Sequence, residues 1–464
     1  MSILASFMVP HPPLIVPDVG RGQEQQIAAT IRGYQKVAED IALLSPDTII
    51  VSSPHSVMYA DYFHISPGKE ATGSFVQFRA PQVKFREQYD TELVNTICAL
   101  ADERSFPAGT MGERDRYLDH GTMVPLYFIR QKYDGFKLVR IGLSGLALPK
   151  HYELGQIIKE AVERTGRRVV YVASGDLSHK LQSYGPYGLS PEGPQYDEQI
   201  MHVMGTADFG KLLEFDETFC EKAAECGHRS FVIMAGALDG TAVEAKELSH
   251  EDVTGVGYGI CEFFPKEAAG PDESRCFLSS FLERKAAECK EQREKEDPYV
   301  SLARRSLEQY ILTRKEIGIP DALPEEMMKE RAGVFVSIHE HGRLRGCIGT
   351  IQPVTECIAR EIIRNAISAS TQDPRFDPIG PDELQWLQIN VDVLGAPEPI
   401  NGMDELDVKR YGVIVTKGRK RGLLLPDLDG VDTVEQQVSI AKQKAGISPK
   451  ESVELSRFEV IRHT

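Results

Sequence analysis

The sequence predicts an α/β domain followed by an α+β domain, and three observations carry that prediction. Short β-rich runs alternate with stretches of helical period as far as about residue 265, the order expected of a central sheet flanked by helices. From about Tyr299 onward strands and helices recur without strict alternation. Between the two parts the composition shifts, from FPKEAAGPD at Phe264–Asp272 to a charged run ending KEQREKEDP at Lys290–Pro298. The expected division is therefore residues 1–268, a charged linker or connecting helix at 269–296, and a second domain at 297–464.

Each element has its own reason. Ser2–Val9 reads as a strand, and Glu24–Leu44 carries apolar residues at helical spacing. Asp47–Ser52 (DTIIVS), Phe136–Leu143 and Arg168–Ala173 read as further short strands. The segment VTGVGYGICEFF, ending at Phe264, reads as a last one. Its Gly255, Gly257 and Gly259 do not form a dinucleotide fingerprint, because no helix follows them. In the second part, Ala303–Leu312, Glu356–Ser370 and Thr433–Ala445 are expected helices, and Gly333–His339, Gln388–Leu394 and Gly412–Val415 expected strands.

Composition narrows the function classes. With 41% hydrophobic residues over 464 positions, each part can bury a core. The net charge of −16 argues against a general nucleic-acid binder. No apolar run approaches the ~18 residues of a membrane span. The N-terminal stretch lacks a basic region and is broken by Pro10, Pro12 and Pro13, so it does not read as a signal peptide. Eight scattered cysteines without a CxxC pair suit free thiols in a reducing compartment, and a cytoplasmic location is expected. One tryptophan, Trp386, and 8% aromatic residues identify no substrate pocket.

The histidines are the chemical signal. His11 follows the first predicted strand, His55 follows TIIVSSP, and His179 follows VVYVASGDLS. His120 sits in the expected loop RYLDHG ahead of the apolar segment TMVPLYFI. In open α/β sheets, sites form outside the carboxyl ends of strands, so three strands that each lead to a histidine suggest a common site. Imidazole suits zinc, copper, iron and nickel, and two histidines with one carboxylate suit non-haem Fe(II). Glu225, in AAECGHRSF ahead of the helix-like SFVIMAGAL, is the candidate carboxylate. Its bland reading is a carboxylate at a helix N-terminus. Cys226 and His228 beside it are competing ligands.

The set HPP at His11, SPH at His55, DHG at His120 and GDLSH at His179 resembles the LigB-type class III extradiol dioxygenases, nearest to their Memo-like branch. The resemblance covers about residues 1–265. It implies His11, His55 and a carboxylate, Glu225, as metal ligands, with His120 and His179 as acid/base groups. It implies Fe(II) first, a small aromatic or catechol-like substrate, and O2. In such chemistry the metal brings the reactants together while a histidine moves a proton. Asp119 and Asp176 could fix imidazole tautomers, or serve as loop and cap residues. In the Memo-like branch a cysteine can take the carboxylate's place. With Cys226 as the ligand, zinc or copper becomes the expectation, and a metal-binding scaffold without ring cleavage becomes the alternative function.

From about Asp297 onward the chain resembles the AMMECR-type domain, through LRGCIGT at Leu344–Thr350 and DPRFDP at Asp373–Pro378. The fused arrangement resembles the AmmeMemoRadiSam system proteins, which implies a radical S-adenosylmethionine protein as companion. Arg343 and Arg345 could hold an anion, and a basic setting would make Cys347 a candidate nucleophile. A buried thiol in a tight strand–turn segment is the plainer reading. His339 and His341 are expected to share a strand face, and Lys417–Arg421 (KGRKR) to form a basic turn.

Overall fold

The apolar run at the N-terminus forms a strand, Ile3–Val9 (β1), whose residues alternate between two cores. Ala5, Phe7 and Val9 pack into one and Met8 into the other. Thr48–Ser53 (β2), Lys137–Gly142 (β3) and Val169–Ser174 (β4) are buried in the same two-faced way. Strands covered on both faces read as continuous apolar runs, which is why the sequence shows them so plainly. Val243–Glu251 (β5) and Tyr258–Pro265 (β6) complete a six-stranded sheet in the order β3-β2-β4-β1-β6-β5. The first four strands run parallel, and β6 and β5 add an antiparallel edge.

Helices Ala28–Leu44 (α1) and His120–Ile129 (α2) cover one face, through Tyr34, Val37 and Ile41 and through Met123, Val124 and Leu126. Leu148–Thr165 (α3) and His228–Ala237 (α4) cover the other. These two cross so closely that a Cβ on Gly155 would stand 2.1 Å from the carbonyl oxygen of Ile233. This is an α/β architecture with helices on both faces of a central sheet.

The computed structural model describes residues 3–114, 117–266, 272–428 and 430–464. The chain divides into two units, Met1–Leu282 and Glu283–Thr464. Part of the composition shift, 267–271, and Ser2 of the first predicted strand lie outside the described residues. A helix spans Phe277–Lys295.

The second unit is α+β. Its sheet contains Gly333–Glu340 (β7), Arg343–Gly349 (β8), Leu387–Leu394 (β9), Glu398–Ile400 (β10), Tyr411–Lys417 (β11), Lys420–Leu424 (β12) and Glu454–His463 (β13). The order is β8-β7-β9-β13-β11-β12, with β10 paired to β13. Val334, Val336 and Ile338 pack with Pro298–Thr313 (α5) and Ile358–Thr371 (α6) in one core. Val434–Lys444 (α7), started by a Thr433–Gln436 capping box, covers β11 and β12 in another.

Three expectations need correction. The predicted Glu24–Leu44 helix opens as a 3-10 turn at Gln23–Ile27, and regular α-helix begins only at Ala28. The last strand starts at Tyr258, because the chain turns through Gly255 at φ 83°. His341 leaves the strand face of His339: it occupies the β7–β8 turn at φ 51°, with its ring 5.4 Å from that of Trp386. The basic KGRKR segment is the exposed tip of the β11–β12 hairpin: Lys417 ends β11, Lys420 and Arg421 begin β12, and the turn is Gly418–Arg419 with Gly418 at φ 59°. All eight cysteines are free, and among the described residues no helix is long and apolar enough to cross a membrane.

Candidate metal centre

Two histidines leave neighbouring parts of the sheet at the same edge. Proline withholds an N–H and fixes φ, so Pro10 and Pro54 end the ladders of β1 and β2 just before His11 and His55. These strands flank β4, which pairs with both in parallel. The Nε2 atoms of His11 and His55 lie 3.0 Å apart. The Cys226 sulfur, from the turn ahead of α4, stands 3.6 Å from His11 Nε2. The three donor atoms all lie within 4.8 Å of one another. A tetrahedral ion with nitrogen at about 2.0 Å and sulfur at about 2.3 Å separates its donors by roughly 3.3–3.6 Å. The cluster therefore fits one metal ion.

A carboxylate and two more imidazoles surround it. Asp176 Oδ2 lies 3.9 Å from His11 Nε2 and 4.0 Å from His179 Nε2, and Asp176, His179 and Cys226 form a second group of close donors. The Asp176 carboxylate accepts the His11 backbone N–H at 2.7 Å, and the Asp176 backbone N–H donates to the Cys226 sulfur at 3.3 Å. His179 Nδ1 faces the Ala224 carbonyl. A carbonyl only accepts, so Nδ1 carries a proton.

His120 is the first residue of α2 and not a loop residue as expected, because Asp119 caps the helix. The Asp119 carboxylate accepts the Thr122 N–H at 3.0 Å and the Ser53 hydroxyl at 2.6 Å. It lies 3.6 Å from the buried guanidinium of Arg140. The His120 ring lies 4.0 Å from that of His55 and 5.4 Å from that of His11. A cavity of about 360 Å³ opens here, lined in part by His55, His120, Gln77, Tyr117 and Arg140.

Burial is the largest influence on these groups. It pushes His120 down to about 4, helped by His55 and His11. It lowers His11 strongly, with His55 adding to the effect, and lowers His55 against the pull of Asp119. The Cys226 thiol is raised by burial and then by Asp176 and Glu225. Without a cation the pocket thus favours neutral imidazoles and a protonated thiol. A bound cation favours the thiolate.

Glu225 stands apart from the cluster. Its carboxylate accepts the His228 backbone N–H at 2.6 Å, at the start of α4. Burial pushes it up to about 7. The four orphan N–H groups of a helix start attract such a carboxylate, and Glu225 answers that demand while Cys226 turns to His11. His228 is likewise elsewhere, between the Leu212 carbonyl at 2.9 Å and the Tyr196 hydroxyl at 3.2 Å.

Sequence reasoning passed over several neighbours. Phe78 meets the His120 ring edge-on at 5.5 Å, and Tyr187 meets His179 at 5.2 Å. Neither carries a sequence signal, since each arrives on a loop or short turn remote from its partner. Ser174 does carry one: it is the first polar residue after the buried run of β4, and its hydroxyl contacts His11 Nδ1 at 3.0 Å.

In the second unit, Arg345 is already engaged. Its guanidinium makes two bonds to the Glu383 carboxylate, at 2.6 and 3.1 Å, and one to the Asp377 carbonyl at 2.7 Å. The half-buried Cys347 receives the Ser337 hydroxyl at 3.2 Å, and its backbone N–H donates to Asp373 at 2.8 Å. Arg375 pairs with that same carboxylate at 2.7 Å and holds it well below the usual carboxylate range. The two sequence motifs of this unit thus clasp each other.

Residues 5–261 match the family model described as the catalytic LigB subunit of aromatic ring-opening dioxygenase, and residues 300–463 match that of AMMECR1. Fold and family together define a two-domain protein of the dioxygenase-like superfamily. The chain belongs to the LigB family, with an AMMECR1 domain fused behind the LigB domain. It is 43% identical to a protein of Clostridium acetobutylicum, over 100% of this chain and 99% of that one. It is 54% identical to a protein of Thermotoga maritima, over 36% of this chain and 98% of the other. A crystal structure of an uncharacterized protein from Pyrococcus horikoshii matches at 34% identity with a TM-score of 0.34, covering 35% of this chain and 88% of that one.

Proposed function

We propose that the first unit is a metal-dependent oxidoreductase that handles a small catechol-like aromatic and O2, its ion held by His11, His55 and Cys226. The observation that carries this reading is the convergence of those three donor atoms beside a cavity that His55 and His120 line. Two imidazoles and a thiol differ from the two-histidine, one-carboxylate set that suits Fe(II), and resemble the donors that copper and zinc prefer. Of these, copper supplies redox chemistry, so copper is the first metal to load and iron its competitor. When bound, such an ion would supply a Lewis-acidic, redox-active centre for the aromatic and O2.

The chain's own groups do the rest. His120 is neutral at pH 7 and stands at the cavity, where it would take up a phenolic proton that a bound ion had made acidic. His179, whose donor atom groups with those of Asp176 and Cys226, serves as the second proton carrier. The cavity, about 360 Å³, takes a single ring. Oxygen uptake with a panel of catechols tests this, using protein loaded with copper or iron. The reading expects uptake that His120→Ala abolishes. Absence of uptake with either metal contradicts it.

The thiol itself favours a second reading, a metal-binding scaffold that acts beside a radical S-adenosylmethionine partner and cleaves no ring. Metal bound at Cys226 with no turnover of any catechol would select that reading.

A further inference from the structure

Helix α2 contains a proline, Pro125, in its interior. Proline has no N–H to give to the carbonyl four residues back, which here is that of Gly121. The Ser174 hydroxyl, from the end of β4, fills the gap: it donates to the Gly121 oxygen at 2.6 Å. A hydroxyl has a single proton. With that proton committed to a carbonyl, Ser174 Oγ can only accept from its other partner, His11 Nδ1, at 3.0 Å. All three groups are buried, so no water competes for these positions.

We infer that Pro125 and Ser174 are positioning residues that fix the tautomer of His11. The missing N–H at 125 orients the Ser174 proton toward Gly121, and the Ser174 lone pair then holds a proton on His11 Nδ1. The remaining lone pair of the ring, on Nε2, faces His55 and Cys226. A ligand histidine is commonly oriented by what its other nitrogen donates to. Here the orientation originates in a helix defect, in the same helix whose first residue is His120. The inference rests on the proposed metal site for its use. The proton position itself is a property of the metal-free protein.

The test uses the full chain, labelled with 15N-histidine and free of metal, with His11 assigned from a His11→Gln variant. Long-range 1H–15N spectra report which ring nitrogen carries the proton. In the native protein His11 is expected as the Nδ1–H form. Pro125→Ala restores an N–H for Gly121 and releases the Ser174 hydroxyl, so a substantial Nε2–H population is expected with thermal stability kept. Ser174→Ala removes the acceptor, and Ser174→Thr, which keeps the hydroxyl, restores the native spectrum. Competition of copper or zinc against a chromophoric chelator should show affinity lowered by about ten- to a hundredfold in Ser174→Ala, and by about tenfold in Pro125→Ala. An Nε2–H tautomer in the native protein overturns the inference, and so does a Pro125→Ala spectrum identical to the native one. A native protein with the Nδ1–H form that binds neither metal sinks the metal reading and leaves the tautomer assignment standing.

Discussion

Glu225 and Cys226 are adjacent in the chain and part company in the structure: the carboxylate meets the His228 N–H at 2.6 Å, while the sulfur meets His11 Nε2 at 3.6 Å. A helix start and the proposed metal site thus divide two neighbouring side chains between them. Cys226→Ser is expected to lose most of the bound metal, because three protein ligands leave little redundancy. Glu225→Gln is expected to keep the metal and to change stability by less than about 1 kcal/mol at pH 7, because burial already pushes this carboxyl up to about 7 and an amide oxygen can still accept the His228 N–H. Metal analysis and urea denaturation of the two variants check both halves. Metal lost from Glu225→Gln and kept in Cys226→Ser would reverse the assignment.

The histidine positions were legible from sequence because the elements that carry them are. Buried parallel strands are apolar on both faces, so the ends of β1, β2 and β4 could be marked, and His11, His55 and His179 stood just beyond them. The choice between Glu225 and Cys226 was not legible. It depends on where α4 begins and which way two consecutive side chains turn, and apolar periodicity says nothing about either. Ser174 closes a buried run that sequence shows, but its contact with His11 needed the pairing of β4 with β1, and His341 needed the φ of a hairpin residue. Both are tertiary facts.

The backbone next to His179 is braced by a pair of titratable side chains, Asp197 and His250. Asp197 accepts the Ser178 backbone N–H at 2.8 Å, next to His179, and meets His250 Nε2 at 3.1 Å. The hydrogen bond to Asp197 raises the pKa of His250, with Glu247 and Asp252 adding to it. A raised value in the folded state gives stability that is full below about 6.5, the unfolded value, and lost as pH rises through the folded value. The melting temperature of His250→Gln should therefore fall furthest below the native one near pH 6, with the gap closing by pH 9. A gap that widens with pH would contradict this account.

The contact of α3 with α4 tolerates no side chain at Gly155. An added Cβ would meet the Ile233 oxygen at 2.1 Å and the Ala237 nitrogen at 2.6 Å, and both are backbone atoms. Gly155→Ala is expected to cost about 1–3 kcal/mol, the range of overpacked cores. Because α4 follows directly on Cys226 and Gly227, weaker metal binding should accompany the loss in a chelator competition.

In the second unit, Asp373 ties Arg375 to the backbone of Cys347. Its depressed carboxyl supplies stability that is present above the usual unfolded value near 3.8 and lost as pH falls through the folded one. Asp373→Asn should cost about 1–3 kcal/mol at pH 7, the price of a charged hydrogen bond that leaves partners unmet. Denaturation followed through Trp386 would read this in the second unit alone.

The central claim is that His11, His55 and Cys226 hold one metal ion. Its most direct test is metal analysis of anaerobically purified full-length protein, reconstituted with copper, zinc or iron, beside the His11→Ala/His55→Ala double variant. The account predicts about one ion per chain in the native protein, a thiolate-to-metal absorption band that Cys226→Ser removes, and a metal-free double variant that still folds. Full metal retention by a folded double variant, or no metal in the native protein after reconstitution, would contradict it.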